Sequence, residues 1–371
     1  MNFVFRVDAS VQIGSGHLMR CLTLADALCR KGARVSFVCH ELPGNFCDFV
    51  ENKGCQVHRL PYTEQHVNDA YRDLTHVERL RVDWQSDAEQ TQAVLKKDEE
   101  DIDWLIVDHY SLDHRWETYL RPLVKKIMVI DDLADRSHDC DLLLDQNLYQ
   151  NIETRYEGLV PKDCRKLLGP QYALLRPQFR AARKNLRKRN GSVKRILIFF
   201  GGSDPANETT KALEAIRLLN RWDIAVDAVV GGANPHVEQV KRLCSVMPNV
   251  NFYCQVDNMA QLMADADLAI GAGGSATWER CILGLPSITL VVAPNQLEAT
   301  ASVAGAGATW NLGWSSGVSP ERLMEAVKKA IDNPEALKEM GERAMRLMES
   351  VSIEGEVAVV QALREGNHAT A

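Results

Sequence analysis

The sequence predicts two α/β domains, each a doubly wound parallel sheet, and three observations carry that expectation. Its 371 residues exceed one typical domain, and 46% of them are hydrophobic, enough to fill two cores. Short apolar runs with strand character alternate with helical patterns through both halves. Each half also opens on a strand that runs into a glycine-rich turn and then a helix. The expected limits are a first domain over residues 1–180, a basic linker over 181–194, a second domain over 195–350, and a terminal helix with a frayed tail over 351–371.

The opening unit organises the rest. Two β-prone runs, residues 3–7 and 35–39, bracket a glycine turn and a helix in the order of a nucleotide-type fold. Leu18, Cys21, Leu22, Ala25, Leu28 and Cys29 recur at spacings of three and four, and Gly32 supplies the positive φ that stops the helix. Gly14 and Gly16 let backbone approach a ligand closely. His17 falls at the positive end of the helix, where negative charge is favoured nearby, and Arg20 follows one turn later on the same face. Arg20 either assists a diphosphate or orients a carboxylate such as Asp8. A dinucleotide fingerprint fits poorly, because Met19 stands where the third small residue of G-x-G-x-x-G/A belongs; Glu41 as its ribose acid is weak support.

Residues 105–108 and 127–130 read as buried parallel strands ending in polar residues. Ligands of open α/β sheets gather at the carboxyl ends of strands, so Asp108, His109, Tyr110, Asp131 and Asp132 join the Gly14 loop along one rim. For Asp108 an anchoring role and a chemical one are both open; Asp131 and Asp132 also suit capping or pairing with Arg136. These carboxylates, His109 and Asp135 offer ligand atoms, but no metal-site spacing is present, so no metal and no cofactor are expected. Residues 64–100 are polar and helical in flavour, without a chemical motif. Residues 142–144 form another strand, ending in Asp145.

Residues 176–195 are basic and separate the halves; an interdomain segment suits an acidic chain better than a DNA-binding arm. Residues 194–200 then lead into Gly201, Gly202, Ser203 and Asp204, with a helix expected over 208–219. Strand signals at 226–230, 250–253, 268–270 and 287–292 alternate with helical stretches, and closing helices are expected over 319–331 and 334–348. In the richest segment Gly271, Gly273 and Gly274 turn the backbone, and Ser275 is placed to cap the next helix and leave amides facing a phosphate. Glu279 lies one turn on, spaced for ribose hydroxyls. Asn295 and Gln296 form a polar rim after the following strand.

The net charge of -7 disfavours a polyanion partner, so no nucleic acid is expected. No window has the apolar length of a membrane span, and the amino terminus lacks signal-peptide character. The ten cysteines are scattered, consistent with reduced thiols in a cytoplasm.

The motifs RVDASVQIGSGHLMRCLTLA, IVDHYSLD, IDDLADR, LLLDQN, FFGGSDP, ADLAIGAGGSATWERCILGLPSI and APNQ occur in that order over nearly the whole chain. Together they resemble the UDP-2,4-diacetamido-2,4,6-trideoxy-β-L-altropyranose hydrolases of pseudaminic acid biosynthesis, the pathway behind flagellin glycosylation. The broader architecture resembles the GT-B fold of UDP-sugar glycosyltransferases, with two Rossmann-type domains facing a central cleft. The resemblance implies an enzyme that splits a UDP-sugar by water, without a metal, at the anomeric carbon; separately, a monomer is expected. It carries the catalytic histidine to His17, the cleft tyrosine to Tyr110 and the sugar-side asparagine to Asn295. The substrate-binding set is then Gly14, Gly16, Arg20, Gly202, Ser203, Gly273, Gly274, Ser275, Glu279 and Gln296. A glycosyltransferase on the same scaffold, or a nucleotide-sugar binding protein without catalysis, are the competing expectations.

Overall fold

The computed structural model describes residues 1–11, 13–62, 83–97, 101–351 and 357–365. These divide into two compact units. The first comprises Met1–Asn147, Asn151–Leu174 and the chain's final segment; the second comprises Leu148–Gln150 and Leu175–Gly355.

The first unit is built on a seven-stranded sheet. Its strands are β1 (Asn2–Val7), β2 (Arg34–His40), β3 (Gln56–Leu60), β4 (Ile102–Asp108), β5 (Val124–Ile130), β6 (Leu142–Asp145) and β7 (Arg165–Leu168), in the order β3-β2-β1-β4-β5-β6-β7. Every pairing is parallel. Successive side chains of a strand face opposite sides, so β1 sends Phe3, Phe5 and Val7 into one apolar layer and Val4 into the other. Both faces are covered, which is why β1 is buried throughout and reads as an apolar run apart from Asn2 and Arg6.

Helix α1 (Gly16–Cys29) buries Leu18, Cys21, Leu24, Ala25 and Leu28. Leu22 packs half-buried against the same layer, Leu24 joins the stripe, and Cys29 is exposed. Gly32 has φ 78°, as a helix-stopping glycine requires. Helix α2 (Cys47–Asn52) follows, and α3 (Trp84–Leu95) and α4 (His114–Leu120) cover the opposite face. The rest of the polar segment 64–100, apart from 83–97, lies outside the described residues.

The second unit holds a six-stranded parallel sheet in the order β10-β9-β8-β11-β12-β13. The order of elements is α5 (Pro177–Lys184), β8 (Arg195–Phe199), α6 (Glu208–Leu219), β9 (Ala225–Val230), α7 (Val237–Ser245), β10 (Val250–Cys254), α8 (Met259–Asp265), β11 (Leu268–Ala272), α9 (Ala276–Ile282), β12 (Ser287–Val291), α10 (Leu297–Gly305), β13 (Trp310–Trp314), α11 (Pro320–Ile331) and α12 (Pro334–Leu347). Residues 181–194, expected as a linker, pack on this unit. Arg183 donates to the Ile282 carbonyl, Arg187 pairs with Asp267, and Arg189 reaches five carbonyls, those of Met263, Ala264, Ala266, Leu283 and Gly284. The basic run is therefore spent on the carboxyl ends of α8 and α9, where helix dipoles favour cations.

The terminal helix α13 (Ala358–Glu365) belongs to the first unit. Val359, Val360, Ala362 and Leu363 join the β1–α1 layer, and Trp104 donates to the Leu363 carbonyl at 3.1 Å. The tail from Gly366 lies outside the described residues. Among those residues no helix is long and apolar enough to cross a membrane.

Candidate active site

In the first sheet the strand order reverses between β1 and β4, and the carboxyl ends of these two strands frame the switch point at which such sheets bind ligands. The β1–α1 loop starts from this point. Gly14 stands there at φ 85°, and its N–H reaches back to the Ser10 carbonyl at 2.8 Å, a turn a side chain would strain. Ser15 makes no side-chain cap, so α1 begins with its amides uncapped by a side chain and with His17 in its first turn.

His17 and Arg20 share a helix face and meet one buried carboxylate. His17 Nδ1 lies 2.6 Å from Asp108 Oδ1. Arg20 donates to both Asp108 oxygens, from Nε at 2.6 Å and from Nη2 at 2.7 Å. Its Nη1 donates to Asp132 at 3.0 Å. Tyr110 donates from its hydroxyl to Asp132 at 2.7 Å, and its ring meets the His17 ring edge-on with centroids 4.5 Å apart. His17, Arg20 and Tyr110 are thus drawn together through Asp108 and Asp132. Arg20 orients these two carboxylates and not Asp8, which is held by the buried Arg6.

The charges in this cluster are assigned by their surroundings. Burial pushes the Asp108 carboxyl up, but Arg20 and His17 outweigh it and hold the group well below the usual carboxylate range. Asp108 is therefore an anion and accepts the Nδ1–H of His17. That proton cannot be shared with Arg20 Nη2, 3.1 Å away, so the Arg20 donors go to the carboxylates. In the neutral ring with its proton on Nδ1, the other nitrogen, Nε2, is an acceptor. Burial, and then Asp132, raise Tyr110 well above its ordinary value, so its phenol stays neutral.

A second network braces the rim from behind. Ser111 N–H donates to His109 Nδ1 at 3.1 Å, which puts the His109 proton on Nε2, 3.2 Å from Asp8. Burial lowers this imidazole's pKa, although Asp8 pulls the other way. Asp131 accepts from the amides of Leu133 and Ala134 and pairs with Arg136 at 3.0 Å, the capping and pairing role open to it from the sequence. Asp145 is pushed up to about 8, by burial first and then by Asp132.

In the second sheet the order reverses between β8 and β11. Gly202 and Ser203 lie in the turn after β8, beside Asp204, whose carboxylate accepts from the amides of Glu208 and Thr209 and so starts α6. After β11, Gly273 is required by crowding: a Cβ there would stand 1.9 Å from Thr300 Oγ1. Gly274 is open by the same measure, its nearest neighbour being Gln296 Nε2 at 3.5 Å. Gln296 accepts the Val292 N–H, at 3.2 Å, and so ties the turn that carries Asn295 to the end of β12.

Ser275 corrects one expectation. Its backbone is already helical, φ -55° and ψ -26°, and its side chain makes no cap, because an N-cap serine needs extended geometry to reach back to the amides. Glu279 is where the spacing put it but has an unforeseen partner. Arg176 donates to Glu279 Oε1 from Nε at 3.1 Å and Nη2 at 2.8 Å, and both contacts fall on one oxygen. Burial raises the Glu279 pKa while Arg176 opposes it. A pairing across a hundred residues leaves no local signal; the unpaired charge of Glu279 beside a glycine turn was the only hint.

Two such units define a protein of the GT-B fold. Its second unit matches the glycosyltransferase family 28 C-terminal domain over residues 196–355. MurG of Acinetobacter baumannii superposes with a TM-score of 0.62 at 15% identity, covering 98% of this chain and 99% of that one. In sequence the chain is similar to the UDP-2,4-diacetamido-2,4,6-trideoxy-β-L-altropyranose hydrolase of Campylobacter jejuni, 27% identical over 81% of this chain and 95% of the relative. An uncharacterised protein of Methanocaldococcus jannaschii is 25% identical over 78% of this chain, which spans 55% of that longer protein.

Proposed function

We propose that this chain hydrolyses UDP-2,4-diacetamido-2,4,6-trideoxy-β-L-altropyranose to UDP and free 2,4-diacetamido-2,4,6-trideoxy-L-altrose in pseudaminic acid biosynthesis. The observation that carries the proposal is the His17–Asp108 pair at the β1/β4 switch point. Similarity to the Campylobacter jejuni hydrolase supplies the substrate.

A buried anion on Nδ1 fixes the ring and its tautomer, and it stabilises the imidazolium that forms when Nε2 takes a proton. Water attacks the anomeric carbon as its proton passes to Nε2. The bond from that carbon to the diphosphate oxygen breaks, and its electron pair leaves with UDP. Diphosphate is a tolerable leaving group, so holding it is the second unit's task. Gly202, Ser203, Gly273, Gly274 and Ser275 offer backbone and hydroxyl donors to the nucleotide, and the unused Glu279 oxygen suits ribose hydroxyls. Tyr110 presents a neutral phenol beside His17, and Asn295 serves the sugar's acetamido groups. The reaction so written uses protein groups alone.

Incubation with the UDP-sugar, chelator and no acceptor should release UDP and sugar in equal amounts. The match to a glycosyltransferase family 28 domain favours a second reading, in which His17 deprotonates an acceptor hydroxyl. UDP release that depends strictly on an added acceptor would decide for it.

A further inference from the structure

Three arginines are buried among the described residues: Arg6, Arg20 and Arg280. Two are balanced by acids. Arg6 bonds Asp8 and Asp87, and Arg20 bonds Asp108 and Asp132. Arg280, on α9 and 2% exposed, is hydrogen-bonded by no carboxylate among the described residues, and Glu279 attracts it only through space. Its Nη2 donates to the Ala272 carbonyl at 2.9 Å and to Thr277 Oγ1 at 3.0 Å, and its Nε is buried with no partner. The neighbouring acid, Glu279, is bonded instead by Arg176.

A buried charge left in this condition is costly, and the contacts it makes do not need a charge. A neutral donor would serve the Ala272 carbonyl equally well. Arg189 is the instructive contrast, since its carbonyls are helix ends that carry negative dipole charge. Ala272 ends a strand, and strands carry little net dipole.

The position of this cation is informative. It lies directly behind the glycine turn that ends β11, with Nη1 3.3 Å from where a Gly271 Cβ would stand. Glycine at that position keeps the cation and the β8 strand end, at the Phe199 carbonyl, close together. The turn belongs to the switch point between β8 and β11, the kind of place where open α/β sheets bind ligands.

We propose that Arg280 is a positioning residue for nucleotide binding, a buried cation whose counter-charge is the substrate's diphosphate. It acts through the 271–275 turn, holding the Ala272 carbonyl and raising the positive potential at the face of the turn. The inference rests on the nucleotide-binding reading of this unit. It differs from that reading in predicting an effect that follows phosphate charge and ignores the nucleoside.

The test is calorimetric titration of the full chain with UDP and with uridine, for the native protein and for Arg280→Met, Arg280→Gln and Arg280→Lys. Loss of the cation should weaken UDP on the order of ten- to a hundredfold, because a unit charge in a poorly screened site acts strongly on an anion. Uridine affinity should hold within about twofold. Arg280→Lys keeps the charge and should keep most of the ratio between UDP and uridine affinities. Arg280→Gln keeps the donor without the charge, so it answers the question if Arg280→Met does not fold.

Equal weakening of UDP and uridine in Arg280→Gln would make Arg280 a structural brace and overturn the proposal. Native protein that binds UDP no better than Arg280→Gln does would overturn it also. If the native protein binds neither ligand, the nucleotide-binding reading itself fails, and the proposal with it.

Discussion

The rims of the two sheets solve the same topological problem with opposite materials. At the β1/β4 switch point side chains dominate: His17, Arg20, Asp108, Tyr110 and Asp132 are bonded to one another, so each charge already has its partner. At the β8/β11 switch point backbone dominates, with glycine turns, a glutamate held through one oxygen, and a buried guanidinium hydrogen-bonded by no carboxylate among the described residues. A pre-paired cluster suits a proton transfer that must be aimed. An unbalanced, mostly backbone surface suits an anion that must be held and later released. On the proposed reading chemistry falls to the first unit and binding to the second, and substitutions can break that division from either side.

The largest effect is expected at His17. His17→Ala should lower kcat by about 10²- to 10⁴-fold, the usual contribution of a general base, with UDP affinity unchanged in titration. Asp108→Asn should approach the same loss, because an amide favours the wrong imidazole tautomer. If either variant weakened UDP binding as much as turnover, the separation of roles would collapse.

Next comes stability. Arg20→Met leaves Asp108 and Asp132 buried without their cation and should cost about 3–5 kcal/mol in denaturant unfolding. On the second unit, Gly273→Ala drives a methyl group to 1.9 Å from Thr300 Oγ1. Overpacking of this kind costs about 1–3 kcal/mol, and it should weaken UDP binding while leaving the His17 cluster intact. Gly274→Ala is its control: an added Cβ meets only Gln296, at an ordinary 3.5 Å, so its stability should match the native protein.

The most gradual effect, spread over several pH units, concerns pH. The Asp145 carboxyl has a folded pKa near 8, against an unfolded value of about 3.9. Between those values the folded state holds a proton that the unfolded state releases. Its contribution is fully present below the unfolded value and is lost as pH rises towards 8, at no more than about 1.4 kcal/mol per pH unit. Asp145→Asn, neutral throughout, should flatten stability against pH over this window; an unchanged profile would mean that Asp145 is already ionised.

Sequence reading reached the two sheets and their glycine turns because buried parallel strands are apolar throughout and α6, Glu208–Leu219, repeats cleanly. It missed β3 (QVHRL), β7 (RKLL) and β13 (WNLGW), edge strands that are partly exposed and so lose the apolar signature. It placed His17, Tyr110 and Asp108 on one rim, since strand ends can be read locally. What joins them could not be read, because Arg20 reaches Asp132 across 112 positions and Arg176 reaches Glu279 across 103. Arg280 was passed over for the same reason, a helix arginine being ordinary until its hydrogen-bond partners are known to include no carboxylate.

The central claim is that His17 delivers water to the anomeric carbon. Turnover of the UDP-diacetamido sugar in heavy-oxygen water, followed by mass analysis of both products, tests it most directly. The account predicts one heavy oxygen in the sugar and none in UDP, with the rate of labelling in His17→Ala lowered in step with kcat. Heavy oxygen in UDP would mean attack on phosphorus and would contradict it.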